Sequence, residues 1–204
     1  MSLPPPYARE HAMLRTFLID ATPTKAGRLR SALLEAGFEV IEQTGHDHDL
    51  VNQIEATGPQ VILIDSDSPG RTVLEKIDRI SRDRPHPIAL FTDDHAPEIM
   101  HKVLYLGVSA YIVEGIQACR LKPILEVAMT RFEQDSALRA ELQARDQQLA
   151  ERKRIELAKG ILMKLRDCKE QEAYTLMRRQ AMSRQQKLIQ VAEQIITMND
   201  LLAG

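Results

Sequence analysis

The chain has 204 residues, with 27 Lys and Arg against 29 Asp and Glu and a net charge of −2 at pH 7. That length suits one mid-sized domain plus a small module. Aromatic residues make up 4% and Trp is absent, which argues against a base-stacking platform built from several aromatic side chains.

Residues 1–12 are Pro-rich and lack the apolar stretch of a signal peptide. Residues 1–13 are therefore expected to be a disordered or non-native extension. From 14 to 128 the chain alternates between two textures. Short β-rich apolar runs fall at 16–19, 38–41, 61–64, 88–91 and 111–113. Segments with helical spacing fall at 24–36, 48–57, 72–81 and 96–106. Five strands alternating with helices predict a doubly wound (βα)5 α/β domain with a parallel sheet covered on both faces. Val61-Ile62-Leu63-Ile64 and Ile88-Ala89-Leu90-Phe91 are apolar throughout, as strands buried on both faces should be.

After about residue 117 strand signals stop. Leu121, Leu125, Ala128 and Phe132 continue an apolar stripe that can pack on the sheet. Leu138, Leu142 and Leu149 then fall at mixed three- and four-residue spacing among charged residues. Residues 129–150 therefore read as a long coiled-coil helix suited to a homodimer, with Arg145 and Arg152 as imperfections in the seam. The remainder, 151–204, predicts an all-α three-helix module. Its apolar sets are Ile155, Ala158, Leu162 and Leu165; Ala173, Met177 and Ala181; and Leu188, Val191 and Ile195. Breaks are expected at 166–168 and near Ser183, a natural N-cap residue. This module holds eleven Lys and Arg and seven Asp and Glu, a net +4, so residues 1–150 carry −6. An acidic front with a basic tail suits a regulator with a nucleic-acid-binding end.

Several chemistries find no support. Cys119 and Cys168 are far apart with no CxxC pair, which fits a reducing cytoplasm and offers neither a disulfide framework nor a zinc site. No apolar run approaches the roughly 20 residues a membrane helix needs. His46-Asp47-His48-Asp49 is rich in ligand types, but alternate residues in one short loop do not close a metal site without outside donors. His86, His95 and His101 are scattered and read as surface residues. No Walker loop, GxGxxG or GxSxG is present, and no nucleophile–base pair suggests an enzyme.

In an open parallel sheet, function collects at the carboxyl ends of the strands. Asp20, Asp65 and Thr92 fall there. The stretches Leu18-Ile19-Asp20, Leu63-Ile64-Asp65-Ser66-Asp67-Ser68-Pro69-Gly70, Phe91-Thr92 and Gly107-Val108-Ser109-Ala110-Tyr111-Ile112-Val113 resemble the receiver domain of two-component response regulators, over about 14–128. The resemblance puts Asp65 at the phospho-acceptor position, Thr92 at the switch hydroxyl and Tyr111 at the switch aromatic. It also exposes two departures. Ala21 stands where the family has a second acid, removing a direct Mg²⁺ ligand, and Glu114-Gly115 stands where it has Lys-Pro. A Glu reverses the charge where a cation should offset the phosphoryl oxygens. At most a weak Mg²⁺ site remains at Asp20 and Asp65; Asp67 offers a further oxygen donor that partly restores metal binding but worsens repulsion. The expected main input is therefore a docking protein rather than aspartyl phosphorylation.

The tail carries Ala158-Lys159-Gly160-Ile161-Leu162-Met163, Glu172-Ala173-Tyr174, Ala181-Met182 and Leu188-Ile189-Gln190-Val191-Ala192-Glu193. Together these resemble the ANTAR domain, an RNA-binding antitermination module, over about 150–203. The departure is Arg166-Asp167-Cys168, where the family usually turns through Gly. A degenerate receiver, a coiled-coil linker and this tail together resemble the AmiR/NasT family. Val113-Glu114-Gly115-Ile116-Gln117 and Arg120-Leu121-Lys122-Pro123-Ile124-Leu125 are most similar to its NasT branch. The resemblance implies an antiterminator that binds hairpins in leader mRNA, controls nitrate and nitrite assimilation genes, and is held inactive by a NasS-like sensor protein. Lys159, Lys164, Arg178, Arg179, Arg184 and Lys187 are the candidate phosphate contacts, and Tyr174 the candidate for stacking on a loop base. For each, the bland alternative is a solvated or packed helix face. Competing readings are a DNA-binding response regulator, which would need a helix-turn-helix or winged tail, and a signalling protein that acts by docking alone.

Overall fold

The computed structural model describes residues 13–21, 26–43, 49–113 and 117–203. The expected extension up to residue 12, the His46-Asp47-His48 stretch and Glu114 lie outside the described residues. The chain divides into two compact units, Met1–Ser136 and Ala137–Gly204.

The first unit alternates strand and helix: β1 (Arg15–Asp20), α1 (Ala26–Glu35), β2 (Glu39–Glu42), α2 (Leu50–Thr57), β3 (Val61–Asp65), α3 (Arg71–Asp83), β4 (Ile88–Thr92), α4 (Pro97–Tyr105) and β5 (Ala110–Val113), followed by the start of α5 (Ala118–Arg166). The five strands are parallel, in the order β2-β1-β3-β4-β5. Successive strand side chains point to opposite faces, so each central strand feeds two cores. Phe17, Ile19, Ile62, Ile64, Ile88 and Leu90 pack with residues of α2, α3 and α4. Leu18, Val61, Leu63, Ala89 and Phe91 pack against Leu29 and Leu33 of α1 and Leu121 and Leu125 of α5. Every residue of β3 and of β4 is buried, which is why both runs are apolar without alternation.

The expected second strand, 38–41, is shifted by one residue. Phe38 is a buried residue immediately before β2, and the strand runs through Glu42. Gly107, with φ +102, turns the chain from α4 into β5, and a Cβ there would lie 2.9 Å from Ser81 Oγ. Both facts favour glycine at this position.

The second unit contains the rest of α5 with α6 (Glu170–Arg184) and α7 (Leu188–Ala203). Its core is small: Ala158, Met177, Ala181, Val191 and Ala192, flanked by Ile155, Leu162, Leu188, Ile195 and Ile196. Alanines let the helix axes approach closely, so little side-chain volume fills the interior. Leu165, expected on the same apolar face, is exposed instead, lying in the last turn of α5. The expected N-cap at Ser183 is also corrected. Ser183 sits inside α6 and its hydroxyl donates to the Gln180 carbonyl at 3.0 Å. The helix ends at Gln185, which adopts the left-handed conformation (φ 52) that commonly closes helices. The other turn, between α5 and α6, passes through Asp167 with φ 47. Asp167 thus takes up the left-handed conformation for which a glycine is usual.

Among the described residues, no helix is long and apolar enough to cross a membrane.

Candidate functional sites: an acidic strand end and a basic helical face

The parallel register brings Asp20 of β1 directly beside Asp65 of β3. Asp65 is 7% exposed. The Ala21 N–H donates to the Asp65 carbonyl at 2.9 Å, and the residue held there carries a methyl group rather than a carboxylate. Among the described residues no three His, Cys, Asp or Glu side chains are grouped as ligands.

Thr92, at the end of β4, is engaged by its own neighbours. Its hydroxyl donates to the Asp67 carbonyl at 3.0 Å and accepts from the Asp94 N–H at 3.1 Å. The Asp93 N–H donates to the same Asp67 carbonyl at 3.2 Å. Asp94 extends the network: its carboxylate accepts from the Ser68 hydroxyl at 2.7 Å and from the Ala96 N–H at 2.8 Å. The Ser68 bond, followed by the Ala96 bond, holds the Asp94 carboxyl below its ordinary value. Tyr111 of β5 donates its hydroxyl to the Asp94 carbonyl at 2.8 Å, and burial first, then the nearby Asp94 charge, raises the phenol's pKa. The loops after β3 and β4 and the aromatic ring of β5 are thus tied together by the chain's own hydrogen bonds.

A cavity of about 620 Å³ opens at this strand end, with Asp65, Asp67, Asp93 and Thr92 lining one side and Arg28 and Glu35 of α1 another. Arg28 was not singled out from sequence, because nothing in the local pattern separates it from other exposed helical cations. Glu114, the expected charge reversal, lies outside the described residues.

In the second unit the predicted residues separate into two groups. Tyr174 and Arg178 stand one helical turn apart on the exposed side of α6, with Met182 a turn further and Arg179 adjacent. Arg184 and Lys187 are exposed on either side of the α6–α7 turn, and Lys164 is exposed near the end of α5. Lys159 is different: it is 7% exposed and its ammonium lies 2.8 Å from Glu156 and 2.7 Å from Glu170. Its hydrogen bonds to Glu156 and then Glu170 raise its pKa, and the Lys159 bond lowers that of Glu170. Sequence reasoning also missed the ion pair between Arg154 of α5 and Glu193 of α7. Its partners are 39 residues apart, and no local spacing rule reaches that far.

Comparison with known proteins places these sites in context. Residues 138–196 match the ANTAR domain family. The transcriptional regulatory protein PdtaR of Mycobacterium tuberculosis is 28% identical over 168 residues, 82% of this chain and 82% of PdtaR. The aliphatic amidase regulator of Pseudomonas aeruginosa is 25% identical over 101 residues, 50% of this chain and 52% of that protein. Among solved structures, the signal receiver domain of a modulated diguanylate cyclase from Desulfovibrio desulfuricans aligns with a TM-score of 0.52 at 18% identity. It covers 61% of this chain and 99% of that one. The chain therefore joins a receiver-like α/β fold to an ANTAR domain and is similar, over most of its length, to a transcriptional regulator.

Proposed function

We propose that this protein is a non-enzymatic antitermination regulator that binds hairpins in leader mRNA through its ANTAR domain. The observation that carries this reading is the exposed α6 row of Tyr174, Arg178 and Met182 with Arg179 beside it, inside the matched span. A cation meets phosphate oxygens wherever it is placed, whereas an aromatic ring one turn away can stack on an unpaired loop base. Lys164, Arg184 and Lys187 add exposed positive charge to the same unit. A winged DNA-binding tail is disfavoured because the described part of this unit is helical throughout, with no strand pair for a wing.

Control comes mainly from a docked protein rather than from phosphate. Thr92 and Tyr111, the switch pair of the receiver resemblance, are already held by Asp67 and Asp94, and Asp65 has Ala21 where a metal-binding acid would be needed. The similarity of the residues around 113–125 to the NasT branch points to a NasS-like sensor partner, to nitrate and nitrite assimilation genes as targets, and to the cytoplasm as the place of action. Leu138, Leu142 and Leu149 are all exposed on α5, which supports a homodimer through 129–150. Two ANTAR domains joined in this way engage two hairpins with a gain in effective concentration.

Arg178→Glu and Lys164→Glu should each weaken binding to the protein's own upstream leader hairpin and reduce the salt slope by about one. Asp65→Asn should leave that binding unchanged. Full retention of hairpin affinity by Arg178→Glu would contradict the assigned face, and stoichiometric labelling of Asp65 by a small phosphodonor with Mg²⁺ would contradict the assigned input.

A further inference from the structure

Lys159 lies on the inner side of α5, beside Ala158 and close to the first turn of α6. An ammonium group taken out of water is costly unless it is paired and hydrogen-bonded. Here it has two carboxylates, from Glu156 three residues earlier on α5 and from Glu170 at the start of α6. One cation between two anions leaves the cluster net negative, which does not attract an RNA phosphate. A carboxylate at the start of α6 also suits the positive end of the helix dipole. The same turn is fixed a second time, because Glu172 accepts from the Lys169 N–H at 3.1 Å.

Glu170 has a particular place on α6. Glu170, Tyr174, Arg178 and Met182 follow one another at four-residue intervals, and such residues lie nearly above one another along a helix. The residue gripped by Lys159 is therefore at the head of the exposed row that carries the candidate RNA contacts.

We propose that Lys159 is a positioning residue: held between Glu156 and Glu170, it fixes the rotation of α6 on α5 and thereby the direction in which Tyr174 and Arg178 face the RNA. The row's role as an RNA contact rests on the function proposed above; the clamp itself does not.

The test uses the full chain with Lys159→Gln, Glu170→Gln and the exchanged pair Lys159→Glu with Glu170→Lys. Two quantities are read: amide hydrogen exchange over residues 170–174, and binding of the leader hairpin across a salt series. Both single changes should speed exchange in that turn several-fold and weaken hairpin binding while keeping the salt slope. The exchanged pair should recover part of both. If Lys159→Gln unfolds the unit, Glu170→Gln carries the test, because it leaves the lysine paired with Glu156. The clamp is overturned by unchanged exchange in the single variants. It is equally overturned if Lys159→Gln lowers the salt slope by about one while Glu170→Gln tightens binding, since Lys159 would then meet phosphate directly. A wild-type chain that binds no hairpin sinks the RNA reading, and the exchange result still decides the clamp.

Discussion

Single residues carry the proposal that this receiver-like site does not work mainly by phosphoryl chemistry. Ala21 offers a methyl group where the receiver resemblance implies a carboxylate, and that difference was visible in the sequence because residue identity alone decides it. The occupation of Thr92 was not visible. Its two bonds run to Asp67, 25 residues away, and to the Asp94 backbone, and no spacing rule predicts them. Asp94 offers a direct check. Its carboxyl is held below the ordinary value of 3.8 chiefly by the Ser68 hydroxyl. A lowered carboxyl pKa contributes stability that is fully present above the unfolded value and is lost as pH falls through the folded value. Ser68→Ala should therefore move the Asp94 titration upward toward 3.8 when followed by NMR. A titration that stays in place would mean the hydroxyl does not stabilise the charge.

At the same scale, Gln185 closes α6 with φ 52. A side chain in that conformation is less favourable than glycine, so Gln185→Gly should raise unfolding free energy in a denaturant titration by about 1 kcal/mol. Loss of stability would show that the Gln185 side chain does more than endure the turn.

Individual elements differed in how plainly the sequence announced them. β3 and β4 were legible as unbroken apolar runs because both of their faces are buried. β2 was displaced by one residue because Phe38 packs into the core without belonging to the strand. In the second unit, periodicity located Ala158, Met177 and Ala181 in the core but also placed Leu165 there, although Leu165 lies in the last turn of α5 and is exposed. Ser183 read as a helix start from its type, yet a Ser hydroxyl bonds equally well to a carbonyl one turn back within a helix. Gly107 joins two elements by necessity, with φ +102 and Ser81 Oγ 2.9 Å from where a Cβ would stand. Gly107→Ala should cost about 1–3 kcal/mol of stability, read as a lower denaturation midpoint, through left-handed strain and this contact. An unchanged midpoint would mean the α4–β5 turn re-forms without penalty.

Across the whole chain, the two compact units follow the charge split. An acidic sheet edge belongs to the first, and exposed cations beside an aromatic ring belong to the second. The division into an α/β domain and a helical module was legible because strand and helix periods differ so strongly. Which cations face outward was not, since Lys159 and Lys164 look alike in sequence and differ only in what the fold packs around them. The most direct test of the account is binding of the full chain to its own leader hairpin, measured against a loop-mutated hairpin and duplex DNA over a salt series. The account predicts tight hairpin binding that is lost on loop mutation and exceeds binding to duplex DNA at every salt concentration. Equal weak binding to all three, falling together with salt, would contradict it.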